Sequence, residues 1–309
     1  MVKLTDDTPI IVIEGDEYLT SPLDLTPKFH KYEHHIGLIS GIAWDHMNVF
    51  PTFDGYVNQF EIFAAKTPKA GSLIVNEDDI IATNLLDVCK NIINKFTYTL
   101  PEHEIVNGIT NIIFQGKKYA LRVFGKHNIS NIEGARVICN RVGITDEDFY
   151  TAIQSFEGAG KRLESLGKTD SLSIYKDFAH SPSKLKATAQ SVKEQFPSKN
   201  VCAIMELHTF SSLNKEFLSQ YKGTFGDIDT PVVFFDPKTV SSKGLDTITE
   251  KEIKEAFEED SLEVFTDSDE LKNFIVSKNL SNHVLLMMSS GNWGNIDLND
   301  LSTELLNKY

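Results

Sequence analysis

Pro9-Ile-Ile-Val-Ile-Glu-Gly-Asp-Glu-Tyr18 and Ile36-Gly-Leu-Ile-Ser-Gly-Ile-Ala-Trp-Asp-His-Met-Asn48 are apolar runs that each stop abruptly in acids or histidine. A short continuous apolar run bounded by turn residues predicts a buried parallel strand. Open α/β sheets bind ligands beyond the carboxyl ends of their strands. The two runs are therefore expected to deliver Glu14 and His46 to one sheet edge and one crevice. A carboxylate beside an imidazole suits Mg2+ or Mn2+ moderately, because Mg2+ prefers oxygen and takes further ligands from water and substrate phosphates. The pattern points to a nucleotide and metal site; the bland alternative is that both residues decorate loop tips.

The rest of the chain fits such a reading. At 309 residues it exceeds the usual single domain, so two domains are expected. Hydrophobic content of 41% with 24% charged residues is that of a globular protein. A formal charge of −14 argues against nucleic acid as the main partner, since duplex binding depends on phosphate neutralisation by Lys and Arg. Cys89, Cys139 and Cys202 are odd in number and unclustered, which fits free thiols in a reducing compartment, most simply the cytoplasm. No apolar segment approaches the roughly 18 residues that span a bilayer, and the first residues lack a signal-peptide apolar core, so no membrane partner is expected.

Along the chain, Phe53 to Lys66 has helical spacing, Gly71 to Asn76 reads as a strand, and an amphipathic helix is expected around Leu85 to Phe96. This βαβα rhythm predicts a mostly parallel sheet. From Phe96 to Phe124 the residues alternate and are punctuated by Asn107-Gly108 and Gln115-Gly116, which predicts a small antiparallel meander. Gly125 to Cys139 reads as a loop entering a helix, and Thr145 opens a further helix to Phe156. The Gly-rich piece Glu157-Gly-Ala-Gly-Lys-Arg-Leu-Glu164 is the expected junction and hinge, dividing the chain into 1–157 and 158–309. Beyond it strands at Ser173–Asp177, Val201–His208, Pro231–Asp236 and His283–Met288 alternate with helices at Ser183–Phe196, Leu213–Tyr221 and, behind a Thr249 capping box, up to Glu258.

Each motif has a plain counter-reading. His30, His34 and His35 lack a CxxC or HExxH partner and read as a solvated loop rather than a zinc site. Gly158-Ala-Gly-Lys161 resembles a phosphate loop but fails the G-x-x-x-x-G-K-[ST] pattern, with Ser155 and Arg162 at the deciding positions. Arg162 can still clamp a phosphoryl group bidentately, or be one of a surface pair at a linker. His127 and Asn128 at a helix entrance suit an adenine edge or ribose, or an ordinary cap. Asp177-Phe-Ala-His-Ser-Pro182 lies between strand and helix, where exposed N–H groups favour anions, although a common turn would look the same. Ser289-Ser-Gly-Asn-Trp-Gly294 matches a strand-end anion nest, with Trp293 alternatively core.

Taken in order, these pieces resemble the Mur ligase family, whose members join amino acids or peptides to a carboxylate using ATP. Glu14-Gly-Asp-Glu-Tyr resembles the family's metal-binding glutamate segment, and Trp44-Asp-His-Met its D-H-M segment. Gly125-Lys-His-Asn-Ile-Ser-Asn is similar to the G-x-H-N-x-x-N nucleotide segment, Lys161-Arg-Leu-Glu to the H/R-R-x-E segment, and Tyr175 to Pro182 to the D-[YF]-[GA]-H-H-P segment. Five segments in the right order are specific where any single one is weak. Ser181 departs from the pattern by replacing its second histidine.

The resemblance covers nearly the whole chain and implies a partial, mostly parallel α/β central ATPase sheet with an antiparallel meander, then a Rossmann-like C-terminal α/β domain. It implies Mg2+ on Glu14 and His46, and ATP on His127, Asn128, Arg162 and Asp177, with Glu14, His46 and Arg162 catalytic. His180, Ser181, Ser289, Ser290 and Asn292 are assigned to the acceptor substrate. ATP would phosphorylate the lactyl carboxylate of UDP-N-acetylmuramate, and an amine would attack the acyl phosphate in a cleft closed against water. The Asp-Phe-Ala-His-Ser-Pro form and the lack of a carbamylated-lysine segment favour the muramate-linked branch, first its murein-peptide members, which take L-alanyl-γ-D-glutamyl-meso-diaminopimelate, then those that take L-alanine. The family's G-K-T-T loop and UDP-sugar domain would precede residue 1. The chain alone is therefore expected to bind ATP weakly and not turn over, a fragment of a ligase rather than a non-catalytic binding module.

Overall fold

The Ser-Leu-Ile-Val-Asn run is the central strand of the first sheet, with Leu73, Ile74 and Val75 wholly buried, because helices cover both of its faces. The structure, a computed structural model, describes residues 5–44, 49–160 and 162–309. It divides into two compact units, Met1–Pro101 with Ser130–Tyr150, and Glu102–Ile129 with Thr151–Tyr309.

In the first unit, β1 (Leu19–Ser21) and β2 (Asp24–Pro27) form a short antiparallel pair. The main sheet has the order β3 (Ile36–Ile39), β4 (Ser72–Asn76), β5 (Asn94–Tyr98), parallel throughout. One face packs on α1 (Phe53–Ala65) and α2 (Ile80–Val88) through Tyr56, Ala64, Ala82 and Leu85. Thr52 caps α1, and Asp79 caps α2 with Oδ1 while its Oδ2 accepts the Ile42 amide at 2.6 Å, so one carboxylate also fixes the chain after β3. The other face meets Val137 of α3 (Lys126–Arg141), which the division between the units crosses; α4 (Asp146–Ile153) follows. Gly134 allows this approach, since a Cβ there would stand 2.9 Å from both Leu38 and Tyr98.

Two expectations fail in this unit. Pro9 to Ile13 is not a strand: Ile10, Ile11, Val12 and Ile13 are 50, 66, 90 and 53% exposed, and no described strand pairs with them. A β-branched run has the propensity, but a strand exists only when its amides find a ladder. The helix expected from Leu85 to Phe96 ends at Val88, and Asn94–Tyr98 pairs with Ser72–Asn76 instead. There Phe96 and Tyr98 alternate onto the face that carries Ile74, a tertiary contact that a helical reading of the same residues misses.

The second unit starts with the expected meander of β6 (His103–Val106), β7 (Ile109–Phe114) and β8 (Lys117–Ala120). Asn107-Gly108 and Gln115-Gly116 all have positive φ, the two-residue turn whose twist matches the strands. A larger sheet has the order β13 (Glu263–Phe265), β12 (Thr230–Phe234), β11 (Asn200–Glu206), β14 (His283–Met288), β10 (Leu172–Asp177), β9 (Glu164–Lys168); only β9 runs antiparallel. The expected helix from Leu213 to Tyr221 is broken into α6 (Lys215–Leu218) and a 3-10 turn. The strands β9 and β13 and the helices α7 (Pro237–Ser242), α9 (Ser268–Ser277) and α10 (Leu298–Lys308) were not expected.

α5 (Pro182–Gln195), α6 and α8 (Glu250–Phe257) pack on one face through Leu185, Leu218 and Ile253. α9 and α10 pack on the other through Leu271, Ile275, Leu301 and Leu305. The connections from β10 and β11 therefore leave toward one face, and that from β14, which lies between them, leaves toward the other. The carboxyl ends of these three strands border a topological switch point, the usual crevice of such sheets. Among the described residues no helix is long and apolar enough to cross a membrane.

Candidate functional site

Asp177 is the last residue of β10, and its buried carboxylate is spent on backbone. Oδ1 accepts the Ala179 amide at 2.7 Å, with the Thr188 hydroxyl at 3.4 Å; Oδ2 accepts the Leu163 amide at 2.7 Å. Leu163 has φ 42, in the left-handed region that costs a branched residue energy, and this bond holds it there. Asp177 thus positions both the loop that carries Arg162 and the segment that leads into α5.

His127 lies close enough to Asp177 and Arg162 to feel both charges. Burial pushes its imidazole below the ordinary value, Asp177 opposes that shift and Arg162 adds to it. The shift favours the neutral imidazole, which donates at one ring nitrogen and accepts at the other. Asn128 donates Nδ2–H to the Phe124 carbonyl at 2.8 Å, which fixes its amide at the start of α3. Gly125 precedes them with φ 91, and a Cβ there would meet Ser191 and His127 within 3.1 Å. Of the four residues assigned to nucleotide, His127, Arg162 and Asp177 are brought together, with Asn128 next in the chain to His127. The exposed guanidinium of Arg162 offers the donor fork that matches a phosphate.

Glu157-Gly-Ala-Gly, expected as a hinge, is tied into this same unit. Glu157 pairs with Arg122, and Gly158 packs closely on Val123.

The acceptor-assigned residues divide. His180 and Ser181 lead into α5, where Ser181 holds the cap position without a side-chain cap bond and Pro182 opens the helix. His180 Nδ1 lies 2.7 Å from the Phe178 carbonyl, and the Tyr221 hydroxyl donates to the His180 carbonyl at 2.9 Å. Ser289, in contrast, is buried, and its hydroxyl donates to Glu206 Oε2 at the end of β11. The Gly291 amide donates to Ser289 Oγ at 2.6 Å, and the Trp293 amide to both Glu206 oxygens at 3.1 and 3.2 Å. Ser290 is half-buried and Asn292 exposed, with Asn292 Nδ2 3.4 Å from Asn295 Oδ1. Trp293 packs in the core beneath the sheet.

Sequence reading passed over Glu206 and His208, although both stand at the end of the Val201–His208 run. His208 Nδ1 lies 3.6 Å from Glu206 Oε1. Burial pushes the Glu206 carboxyl up, Ser289, Trp293 and His208 oppose this, and Asp236 reinforces it. The available signal was a lone acid closing the apolar run Val201–Met205.

Glu14 lies on the exposed segment before β1, not at a strand end. His46 lies outside the described residues, as does Lys161, so the pairing of Glu14 with His46 is not described. Among the described residues, no three His, Cys, Asp or Glu side chains converge as a metal site. His30 and His34 are not a solvated loop: His30 is buried against the Gln59 carbonyl, and His34 stacks on Phe63 at 4.1 Å with Nε2 2.9 Å from Thr67 Oγ1.

Comparison with known proteins gives the same outline. The Mur ligase middle domain matches residues 4–139, and the Mur ligase glutamate ligase domain matches residues 161–291. The chain is 30% identical over 238 residues to the UDP-N-acetylmuramate–L-alanine ligase of Caldicellulosiruptor bescii, covering 72% of this chain and 50% of that one. It is 26% identical over 300 residues to the UDP-N-acetylmuramate–L-alanyl-γ-D-glutamyl-meso-2,6-diaminoheptandioate ligase of Haemophilus influenzae, covering 94% of this chain and 64% of the other. The crystal structure of a murein peptide ligase from Psychrobacter arcticus 273-4 superposes with a TM-score of 0.59 at 19% identity, over 99% of this chain and 66% of that one. The chain thus spans between half and two thirds of the length of these curated relatives.

Proposed function

The chain belongs to the Mur ligase family, and from that premise we propose that it serves an ATP-dependent ligase that joins a peptide to UDP-N-acetylmuramate through a C–N bond. The observation that carries this reading is the Asp177 carboxylate at the end of β10, which holds the Leu163 amide next to Arg162 at 2.7 Å, beside the switch point of the second sheet and within electrostatic reach of His127. Arg162 would meet the phosphates of ATP, and the neutral His127 with the Asn128 amide would hold the nucleoside. Asp177 would serve the nucleotide through backbone, by keeping the Arg162 loop and the entrance to α5 in place. His180, Ser181, Ser290 and Asn292 would face the acceptor, with Ser289 shaping its turn.

Phosphoryl transfer from ATP depends on positioning and on cations placed where charge develops. Mg2+ is assigned to Glu14 and His46. Glu14, an exposed carboxylate, would hold the ion together with His46, and the ion would supply positive charge to the phosphates. The middle-domain match ends at 139 and the ligase-domain match begins at 161, which supports a functional division at 157/158. A cytoplasmic site of action follows from a nucleotide-linked substrate. L-Alanine is the alternative acceptor, favoured by the 30% identity to an L-alanine ligase.

Two assays test the reading. Calorimetric titration with ATP or ADP and Mg2+ is expected to give binding that weakens about tenfold or more in Arg162→Ala, the loss of one charge-assisted phosphate contact. Incubation of this chain with ATP, Mg2+, UDP-N-acetylmuramate and either L-alanyl-γ-D-glutamyl-meso-diaminopimelate or L-alanine is expected to give no coupled product, because the phosphate loop is expected outside it; substantial product would overturn the fragment reading and identify the acceptor. Nucleotide binding that Arg162→Ala leaves unchanged would remove the basis of the proposal.

A further inference from the structure

We infer that Glu206 is a positioning residue for the acceptor turn, its carboxylate clamping residues 289–293 through the Ser289 hydroxyl and the Trp293 amide while His208 seats over Gly291. The inference rests on the proposal above that this turn meets the acceptor.

Glu206 is 2% exposed and closes β11, beside β14, whose end opens into the turn. Burying a carboxylate is expensive, and an apolar residue of similar volume would serve packing alone as well. Here both oxygens are used: Oε2 by Ser289, and both by the Trp293 amide. The conformation being held is costly. Trp293 and Asn295 have φ 58 and 74, and Gly294 between them has φ 60. A bulky residue in the left-handed region costs on the order of 1–2 kcal/mol, so these consecutive residues need an external restraint. Glu206 supplies it from one neighbouring strand, and the Asp177 carbonyl, accepting the Ser289 amide at 3.0 Å, supplies it from the other.

There is no slack in the arrangement. A Cβ on Gly291 would lie 2.5 Å from the His208 ring and 2.8 Å from Glu206 Oε2. The backbone at 291 thus runs directly against the Glu206 and His208 side chains, and any displacement of the carboxylate displaces the turn. Asp236, the cap residue of α7 just beyond β12, is the other charged group that acts on Glu206.

The test is amide exchange and acceptor titration on wild type, Glu206→Gln, Glu206→Leu and Ser289→Ala. Gln keeps one acceptor oxygen for the Trp293 amide and can donate to Ser289 Oγ, so its turn amides are expected to exchange within about threefold of wild type. Leu is expected to speed exchange at Gly291 and Trp293 by about 10–100-fold, the loss of one or two buried hydrogen bonds, with Ile204 and Leu286 in the strands unchanged. It should also weaken binding of L-alanyl-γ-D-glutamyl-meso-diaminopimelate about tenfold, with recovery in Gln. Should the Leu variant not fold, Ser289→Ala carries the test, with about tenfold faster exchange confined to the turn. Acceleration spread evenly over β11 and β14, or none in the turn, would overturn the clamp. If the wild-type turn responds neither to the tripeptide nor to L-alanine, the acceptor reading falls, and the substrate role of the clamp with it, whatever the exchange rates.

Discussion

The Leu163 amide donates to Asp177 Oδ2 at 2.7 Å across 14 positions of chain, and Leu163 is the residue that follows Arg162. The same carboxylate holds Ala179 at the entrance to α5. One buried acid therefore sets two backbone segments that flank a single strand end. Both of its oxygens serve N–H groups that would otherwise stand unpaired out of reach of water.

Asp177→Ala is expected to destabilise the protein by about 3 kcal/mol, the cost of leaving two such amides without an acceptor. Asp177→Asn, which keeps one oxygen, should lose less. Urea unfolding gives the stability, and calorimetry with ADP should show weaker binding in both variants because the Arg162 loop is no longer held. Equal stability of wild type and Ala variant would mean that water replaces the carboxylate at no cost.

Gln195 joins the meander to α5. It is buried, accepts the Thr110 hydroxyl at 2.8 Å and donates to the Gly108 carbonyl at 2.7 Å. Gln195→Ala strands both partners and should cost about 2 kcal/mol. Exchange at the meander amides should rise before that of β10 or β11, and exchange mass spectrometry of residues 102–120 reads this directly.

His34 makes stability depend on pH. Burial lowers its imidazole to about 4, and the nearby His35 and Lys66 push the same way. In the unfolded chain it titrates near 6.5. Between those values the unfolded state binds more protons, so stability is full above about 6.5 and falls as pH drops toward 4. The part of the shift that solvent does not screen amounts to on the order of 2 kcal/mol. His30, lowered mainly by its own burial, adds in the same direction. Chemical unfolding at pH 7.5, 6, 5 and 4.5 should show this slope, and His34→Phe, which keeps the stack on Phe63, should flatten it. An unchanged slope in that variant would assign the effect to other groups.

The Thr249 capping box at the start of α8 has both of its reciprocal bonds, Glu252 amide to Thr249 Oγ1 at 3.2 Å and Thr249 amide to Glu252 Oε2 at 2.8 Å. Thr249→Ala should cost about 1 kcal/mol, read as a lowered urea midpoint with no change in slope.

Much of this fold was legible because its signals are local. The Thr249 box, the Asn107-Gly108 and Gln115-Gly116 turns, and the apolar runs at Ser72–Asn76, Leu172–Asp177 and His283–Met288 each act within a few residues of chain. Capping, turn twist and burial on both faces of a parallel strand are written at that range. The residues assigned to nucleotide were singled out on a related ground, since they follow strand ends or open helices, where ligand groups are exposed.

Other features could be decided only by tertiary structure. The run at Ile10–Ile13 has strand propensity, yet no described strand pairs with it, because a ladder needs a partner that propensity does not supply. Asn94–Tyr98 chose the edge of β4 over a helix for the opposite reason. Glu206 and Ser289 stand 83 positions apart and meet only because β14 inserts between β10 and β11. A sequence shows which residues will close a strand. Which strand ends become neighbours depends on pairing and on the face each connection takes, and those are settled by how the whole set of apolar faces can be buried together.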